Sequence, residues 1–267
     1  MTVRQRVIKY CALAFAVFLI VSFALGAFEL LSSLLEMDVL KKPGSGYLYS
    51  SVIGENISEL DIDISTVALK ITQGDKFALH TDNDRIKFYQ DGSVLSVKDK
   101  EKFSLKPEGE VIIEVPAEKE FSKVCINAGA GEITVDSLCC SQLITSLGVG
   151  DFFAQRLVVT ASADIDCAAG EFTVKDGSIN NLEMNMALGD VTLDCFLTGE
   201  AEIDCGLGDM DMKLHGRADD YSIEVDKGIC SARLNSESVK DENKYGNGPN
   251  RIEINGAVGD ISIKTND

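Results

Sequence analysis

The chain has 267 residues, of which 45% are hydrophobic and four are proline, a composition typical of one or two folded domains and not of a disordered chain. Its formal net charge of -18 at pH 7 argues against a nucleic-acid partner, because phosphate groups are bound by clustered lysine and arginine.

The first predicted element is a membrane-spanning helix. Residues 1–9 contain Arg4, Arg6 and Lys9 and no acid, and the 19 residues from Tyr10 to Phe28 carry no charge. This run is long enough to cross a bilayer and longer than the apolar core of a signal peptide. Because basic residues mark the cytoplasmic side, we predict a cytoplasmic N-terminus (1–9), a single-pass helix (10–28) and an extracellular remainder. The alternative is a cleaved signal peptide, with Ala-Leu-Gly-Ala before Phe28 as the cleavage site.

Residues 29–55 are predicted to form a stalk and linker. Leucines recur at near-helical spacing after Glu29, and the sequence Pro-Gly-Ser-Gly from Pro43 is typical of a helix end. A spacer that holds the next domain away from the lipid is the favoured interpretation, and a dimerising stalk is the alternative.

Residues 56–116 contain short apolar runs separated by turn residues such as Asp91-Gly92, a pattern that predicts strands. Their spacing is irregular, but the run from Leu60 to Ile71 resembles the later repeats, with Val67 at their glycine position. We therefore predict divergent first rungs that cap the sheet edge against aggregation.

Residues 117–267 repeat one short phrase, in which a glycine is followed by an acid at intervals of 19 or 20 residues. Such a period is typical of stacked-repeat architectures. Gly228 continues the period, although Ile229 follows it. The glycine and acid pairs are Gly131-Glu132, Gly150-Asp151, Gly170-Glu171, Gly189-Asp190, Gly208-Asp209 and, after an insertion, Gly259-Asp260.

Hydrophobicity alternates with period two on both sides of each glycine, which predicts a strand, a tight corner and a second strand. The position five before the glycine holds Ile126, Thr145, Ile165, Met184, Ile203, Ile223 and Ile254. The next position is polar and holds Asn127, Ser146, Asp166, Asn185, Asp204, Glu224 and Asn255. One such repeat buries too little apolar surface to fold alone, whereas stacked copies share one core. The predicted fold is all-β: a parallel β-solenoid, similar to a single-stranded β-helix, preceded by one transmembrane helix.

A polar insertion at residues 235–250 interrupts the repeats. We predict an outward surface loop, with a recognition loop as the alternative. The repeat then resumes from Arg251 and ends in polar residues, which suits a terminal rung.

The sequence Val-Pro-Ala-Glu-Lys-Glu-Phe from Val115, followed by repeated Gly-x-Gly-Asp phrases, resembles bacterial β-strand-repeat proteins of unknown function that are catalogued as "putative adhesins". The likeness spans residues 56–267, and an N-terminal membrane anchor is common in that family. The resemblance implies a β-helix-like fold on the outer side of a Gram-positive membrane, an association with envelope stress and no catalytic residues. Ile229 departs from the family pattern.

The eight cysteines are predicted to be free thiols in the core rather than disulfides. Cys167 and Cys205 share an inward position but lie two rungs apart, about 9.6 Å, which is beyond the reach of a disulfide. The sequence contains no Cys-x-x-Cys motif of the kind that would indicate a zinc site. The two histidines, His80 and His215, have no neighbouring catalytic motif and are predicted to be structural.

The acids that follow the glycines are the strongest candidate site. In register they would stand about 4.8 Å apart. The favoured role is that of a turn residue hydrogen-bonded within its own turn. The alternatives are a cation site, because calcium prefers oxygen ligands, and acid-base catalysis on a polysaccharide. No metal or cofactor is predicted, and the residues concerned are Glu132, Asp151, Glu171, Asp190 and Asp209.

We therefore predict a non-enzymatic, membrane-anchored extracellular protein that binds or senses the cell envelope through an acidic face, with a glycan or a protein as its partner. A carbohydrate-active enzyme built on a β-helix is the first alternative, although the chain has no tryptophan. A scaffold partner of a membrane sensor is the second.

Overall fold

The computed structural model describes residues 49–52, 56–99, 109–240 and 243–266. Within these ranges the chain contains no α-helix and one 3-10 helix, Ala218–Asp220, so the all-β prediction is confirmed. In the described part of the chain, no helix combines the length and hydropathy that crossing a bilayer requires. The predicted anchor (10–28), the residues before it and most of the predicted stalk lie outside the described residues.

Twenty strands of the described ranges belong to one hydrogen-bonded sheet. Those before the regular repeats are β1 (Tyr49–Val52), β2 (Glu59–Ile64), β3 (Ala68–Gly74), β4 (Ala78–Thr81), β5 (Ile86–Asp91), β6 (Val94–Asp99) and β7 (Glu110–Pro116). Those of the regular repeats are β8 (Glu120–Ala130), β9 (Ile133–Val135), β10 (Leu138–Val149), β11 (Phe152–Ala154), β12 (Leu157–Ala169), β13 (Phe172–Val174), β14 (Gly177–Leu188), β15 (Val191–Leu207) and β16 (Met210–Arg217). The last are β17 (Tyr221–Leu234), β18 (Glu237–Ser238), β19 (Lys244–Tyr245) and β20 (Asn250–Asn266).

Each regular repeat forms one turn of a coil whose strands run parallel to those of the next turn. In β12, the pairing with β14 shifts register between Val159 and Ala163, so the strand is divided into a short run and a longer arm. The glycine corner follows, and β13 then pairs in parallel with β11 and β15. One turn therefore has three straight runs, and the chain forms a parallel solenoid.

Alternating side chains point inward and form one continuous core. A turn contributes seven buried residues, such as Leu157, Val159, Ala163, Ile165, Cys167, Phe172 and Val174. Equivalent residues stack on each other from turn to turn: the rings of Phe152 and Phe172 are parallel within 5°, with centroids 4.5 Å apart. Because period two places the same face of every turn inward, this core follows from the sequence pattern.

At the N-terminal end, the first coil is formed by β2 and β3. These strands pair in parallel with β8 and β9, and a Cβ atom on Gly131 would lie 2.8 Å from the carbonyl oxygen of Val67. Val67 thus occupies the glycine position, as predicted from the resemblance of residues 60–71 to the later repeats. Strands β6 and β7 lie outside this coil, and the antiparallel strands β5, β4 and β1 continue the sheet beyond them.

At the C-terminal end, the order of the turns differs from their order in the sequence. Strand β20 lies between β15 and β17, pairing in parallel with both, and it also pairs with β16. The prediction that the last segment is the terminal rung is therefore wrong. The outer turn is β17, and β20 is inserted beneath it, because the insertion is long enough to carry the chain back across the end of the stack.

The insertion is mostly exposed, as predicted for a surface segment, but it also covers this end of the stack. Strands β18 and β19 pair antiparallel with β17. Val239 is buried, Tyr245 packs against the core, and the Lys227 ammonium donates to the carbonyl oxygen of Val239 over 2.8 Å. The prediction of a simple surface loop is thus corrected: apolar residues inside the polar insertion close the hydrophobic core.

Candidate binding surface

The glycines before the acids form a column along one corner of the solenoid. Gly131, Gly150, Gly170, Gly189, Gly208 and Gly259 have φ between 135° and 151°. A Cβ atom on Gly150 would lie 1.9 Å from the carbonyl oxygen of Gly131, and one on Gly208 would lie 1.8 Å from that of Gly189. Both the backbone conformation and the close approach of successive turns therefore require glycine.

Gly228 does not belong to this column. In the pairing of β17 with β20, Cys230 lies opposite Gly259 and Ile229 opposite Val258, and a Cβ atom on Gly228 would face the carbonyl oxygen of Ala257. The sequence period misplaces this turn by two residues. A two-residue shift keeps every side chain on the same face, so the alternating pattern gives no warning of it.

The acids after the glycines are exposed and follow the same corner. The Oδ1 atom of Asp151 accepts a hydrogen bond from the backbone N–H of Glu171 over 2.9 Å. Asp190 accepts in the same way from Asp209 over 2.9 Å, and Asp209 from Asp260 over 2.8 Å. The aspartates therefore bind the backbone of the next turn, not that of their own turn as the sequence analysis expects.

These hydrogen bonds also limit how many carboxylate oxygens the corner acids could offer to a cation. In each aspartate that bonds the next turn, one carboxylate oxygen is directed along the stack to an N–H group, which leaves the other for solvent. Among the described residues, no group of three or more histidine, cysteine, aspartate or glutamate side chains is arranged to hold a metal ion. The aspartates of the acidic corner column therefore join successive turns through hydrogen bonds.

A second polar column alternates aspartate with asparagine, four residues before the glycine. The Nδ2 atom of Asn185 donates to Asp166 Oδ1 over 3.0 Å, and that of Asn255 donates to Asp204 Oδ1 over 2.6 Å. Asp226, not Glu224 as the period predicts, lies beside Asn255. Because the amides separate the carboxylates, like charges on neighbouring strands do not meet.

A third column lies six residues before the glycine, and sequence analysis missed it. Asp164, Glu183, Glu202 and Glu253 are neighbours on adjacent strands, and we call them the acidic face. They line a depression of about 540 Å³. Arg251 also lines this depression, and its guanidinium lies 3.1 Å from the Glu253 carboxylate. The same 19- or 20-residue period would have revealed this column.

The two histidines lie apart from these columns. His215 Nε2 is 2.5 Å from Asp194 Oδ1, and the Lys213 ammonium lies 3.1 Å from Asp194 Oδ2. Partial burial opposes ionisation of Asp194, but the hydrogen bonds from His215 and Lys213 outweigh it and lower the pKa of its carboxyl group. His80 lies 3.3 Å from Glu114. Each histidine thus contacts a carboxylate on its own part of the sheet.

The prediction of free thiols in the core is confirmed for Cys140, Cys167, Cys195 and Cys205, whereas Cys125 and Cys139 are only partly buried. The six cysteines whose side chains the structure describes are free, as predicted, and Met186 separates Cys167 from Cys205 across adjacent strands. Burial raises the pKa of the Cys140 and Cys195 thiols to about 12 and that of Cys167 to about 11. These groups are therefore neutral near pH 7 and poor nucleophiles.

The coil, its glycine corner and its outward columns define a protein of stacked β-strand repeats. Residues 57–248 match the family model described as Toastrack DUF4097. The chain belongs to this family, and the predicted resemblance to β-strand-repeat proteins is confirmed.

The solved structures that are similar to the chain include two adhesin-like proteins. One is described as a "putative cell adhesion protein" from Clostridium sporogenes ATCC 15579, with 14% identity over 82% of this chain and 98% of that chain and a TM-score of 0.33. The other is described as a "putative adhesin" from Bacteroides fragilis NCTC 9343, with 16% identity over 84% of this chain and 99% of that chain and a TM-score of 0.37. Sequence identities and TM-scores this low do not support any inference about function. No curated protein matches the chain.

Proposed function

We propose that the protein is a non-enzymatic binding module of the bacterial cell envelope, anchored by residues 10–28, with its solenoid on the outer side of the membrane. The observation that carries this proposal is the acidic face, in which Asp164, Glu183, Glu202 and Glu253 occupy consecutive strands of one sheet. The Asp/Asn column runs beside it, two residues further along each strand, or about 6.6 Å away.

Such a surface is suited to a cationic ligand. The backbone pairing fixes the spacing of the strands that carry these carboxylates, so little backbone ordering is needed on binding. Arg251 lies at one edge of the depression. A basic protein segment or an amino-bearing glycan of the envelope has the charge to complement this face.

The corner carboxylates favour binding over polysaccharide hydrolysis. Asp151, Asp190 and Asp209 each hold a backbone N–H of the next turn, and a general acid must instead carry a proton to its substrate. The two alternative functions are a carbohydrate-active enzyme and a scaffold partner of a membrane sensor, and the experiment below is designed to distinguish them from a binding module.

The test is saturable binding of the full-length protein, in nanodiscs, to isolated Gram-positive envelope fractions. Glu183→Gln with Glu202→Gln removes two charges from the acidic face and should weaken binding several-fold. The control, Asp91→Asn with Glu118→Gln, removes two exposed charges elsewhere and should not. Equal binding by both variants, no saturable binding by the wild type, or turnover of acidic polysaccharides would contradict the proposal.

A further inference from the structure

Apolar side chains form an outward column at the position just before each corner residue, which is a glycine in every turn of this column except the outer one, where it is Cys230. The pairing register places these residues side by side through consecutive turns. We call this column the apolar ridge. It consists of Ala130, Val149, Ala169, Leu188, Leu207, Val258 and Ile229, in their order along the stack.

Four of the larger members of the ridge are exposed, and Leu188 is partly buried. Val149 is 57% exposed, Leu207 40%, Val258 42% and Ile229 85%. Single exposed apolar residues are ordinary on protein surfaces, whereas a continuous apolar patch marks an interaction site. Leu207, Val258 and Ile229 lie on three adjacent strands, so their side chains form one continuous patch at the C-terminal end of the coil.

Acidic columns flank the ridge on both sides. The corner acids, Asp190 and Asp209 among them, follow the glycine on one side, and the Asp/Asn column, which includes Asp204, lies on the other. A second copy of this chain on the ridge would bring acidic columns together, and an anionic lipid surface would be repelled in the same way. The charges instead complement a partner that carries basic side chains on both sides of an apolar strip.

We propose that the apolar ridge binds a Lys- and Arg-rich amphipathic helical segment of a partner polypeptide. From Val149 to Ile229 the ridge spans about 24 Å at the strand spacing of a sheet, the length of about 16 helical residues. The apolar face of the helix contacts the ridge, and its basic residues reach the acidic columns. This inference rests on the proposed binding function and adds to the acidic face a second contact surface with a partner of stated chemistry.

The test uses a synthetic 16-residue helix of leucine and lysine with all its leucines on one face. The control peptide has the same composition with the leucines distributed around the helix. The full-length protein in nanodiscs should bind the amphipathic peptide at least tenfold more tightly than the control. Leu207→Thr, Val258→Thr and Ile229→Thr together should abolish this preference. The matched variant Tyr89→Thr, Ile144→Thr and Phe196→Thr, which alters exposed apolar residues outside the ridge, should retain it.

A further variant tests whether peptide binding requires the acidic side chains beside the ridge. Asp190→Asn with Asp209→Asn keeps an oxygen that can accept the N–H of the next turn, and it should weaken peptide binding and reduce its salt dependence. Circular dichroism checks that each variant is folded.

Several outcomes would overturn the inference. Equal affinity for the two peptides would show that charge alone governs binding, and an unaltered preference in the ridge variant would show that the peptide's apolar face binds outside the ridge. A wild-type dimer that the ridge variant loses would assign the ridge to self-association, and binding to zwitterionic vesicles in place of the peptide would assign it to lipid. Envelope binding without peptide binding would reject the ridge inference alone, whereas loss of both would reject the proposed function as well.

Discussion

The carbonyl oxygen of Gly170 lies 1.7 Å from the point where a Cβ atom on Gly189 would stand. No side chain fits at that distance, and Gly189 also has φ +135°, a conformation that other residues rarely adopt. The contact between these two glycines therefore sets how closely successive turns stack at the corner.

Gly189→Ala should lower the free energy of unfolding by at least about 3 kcal/mol, because it adds a backbone clash to a strained conformation. Gly92→Ala is the control. Gly92 has φ +58°, but apart from its chain neighbours no atom of the described residues lies within 4 Å of its Cβ position, so the cost should be about 1 kcal/mol. Urea denaturation followed by circular dichroism measures both. Equal losses would show that the stacking contact contributes nothing.

Thr145→Val should stabilise the protein by about 1 kcal/mol. The Thr145 hydroxyl is buried between Ile126 and Ile165 on the neighbouring strands. It has no hydrogen-bond partner among the residues that the structure describes, so its removal relieves a desolvation cost. Thr81→Val should have the opposite effect, because the buried Thr81 hydroxyl accepts the backbone N–H of Asn83 over 3.1 Å. Calorimetric unfolding of the two variants should shift in opposite directions, and a decrease for both would contradict this account.

Asp194 should make stability depend on pH. The pKa of its carboxyl group is lowered in the folded protein. Its contribution to the free energy of unfolding is therefore fully present above the unfolded pKa of about 3.9 and is lost as the pH falls through the folded pKa. Asp194→Asn should cost about 1 kcal/mol at pH 7, and this difference should shrink between pH 4 and pH 2. The exposed Asp211 provides the control, Asp211→Asn. A difference that stays constant with pH would argue against the paired carboxylate.

The buried thiols should resist alkylation in the native state. Cys140, Cys167 and Cys195 are buried and their thiol pKa values are raised by desolvation, so iodoacetamide at pH 8 should leave them unlabelled until denaturant is added. Peptide mass spectrometry identifies the labelled sites. Rapid native labelling of Cys195 would show that the core is open at that turn.

The regular turns could be predicted from the sequence because each of them repeats the same local requirements. The alternation of apolar and polar residues identifies the inward face, and a glycine marks the corner of each regular turn, so the solenoid and the four buried thiols can be predicted directly. Val67 was also placed correctly, since Leu60 to Ile71 keeps the alternation without the glycine.

The two ends of the stack could not be predicted in the same way. The insertion of β20 beneath β17 depends on which edges pair after the chain returns, and a two-residue shift at Gly228 leaves the buried pattern intact. The capping role of Val239 depends on a single apolar residue within a polar segment. The bonds from aspartate to the next turn depend on the distance between turns, which a single repeat does not contain.

The measurement that tests the stacking register most directly is a methyl NOE experiment on the full-length protein labelled at isoleucine and valine. The structure predicts strong cross-peaks between Ile203 and Ile254 and between Ile254 and Val225, because these residues are neighbours on adjacent strands. A strong Ile203–Val225 cross-peak without one between Ile203 and Ile254 would place the turns in sequence order. That result would contradict the register from which every surface column described above is built.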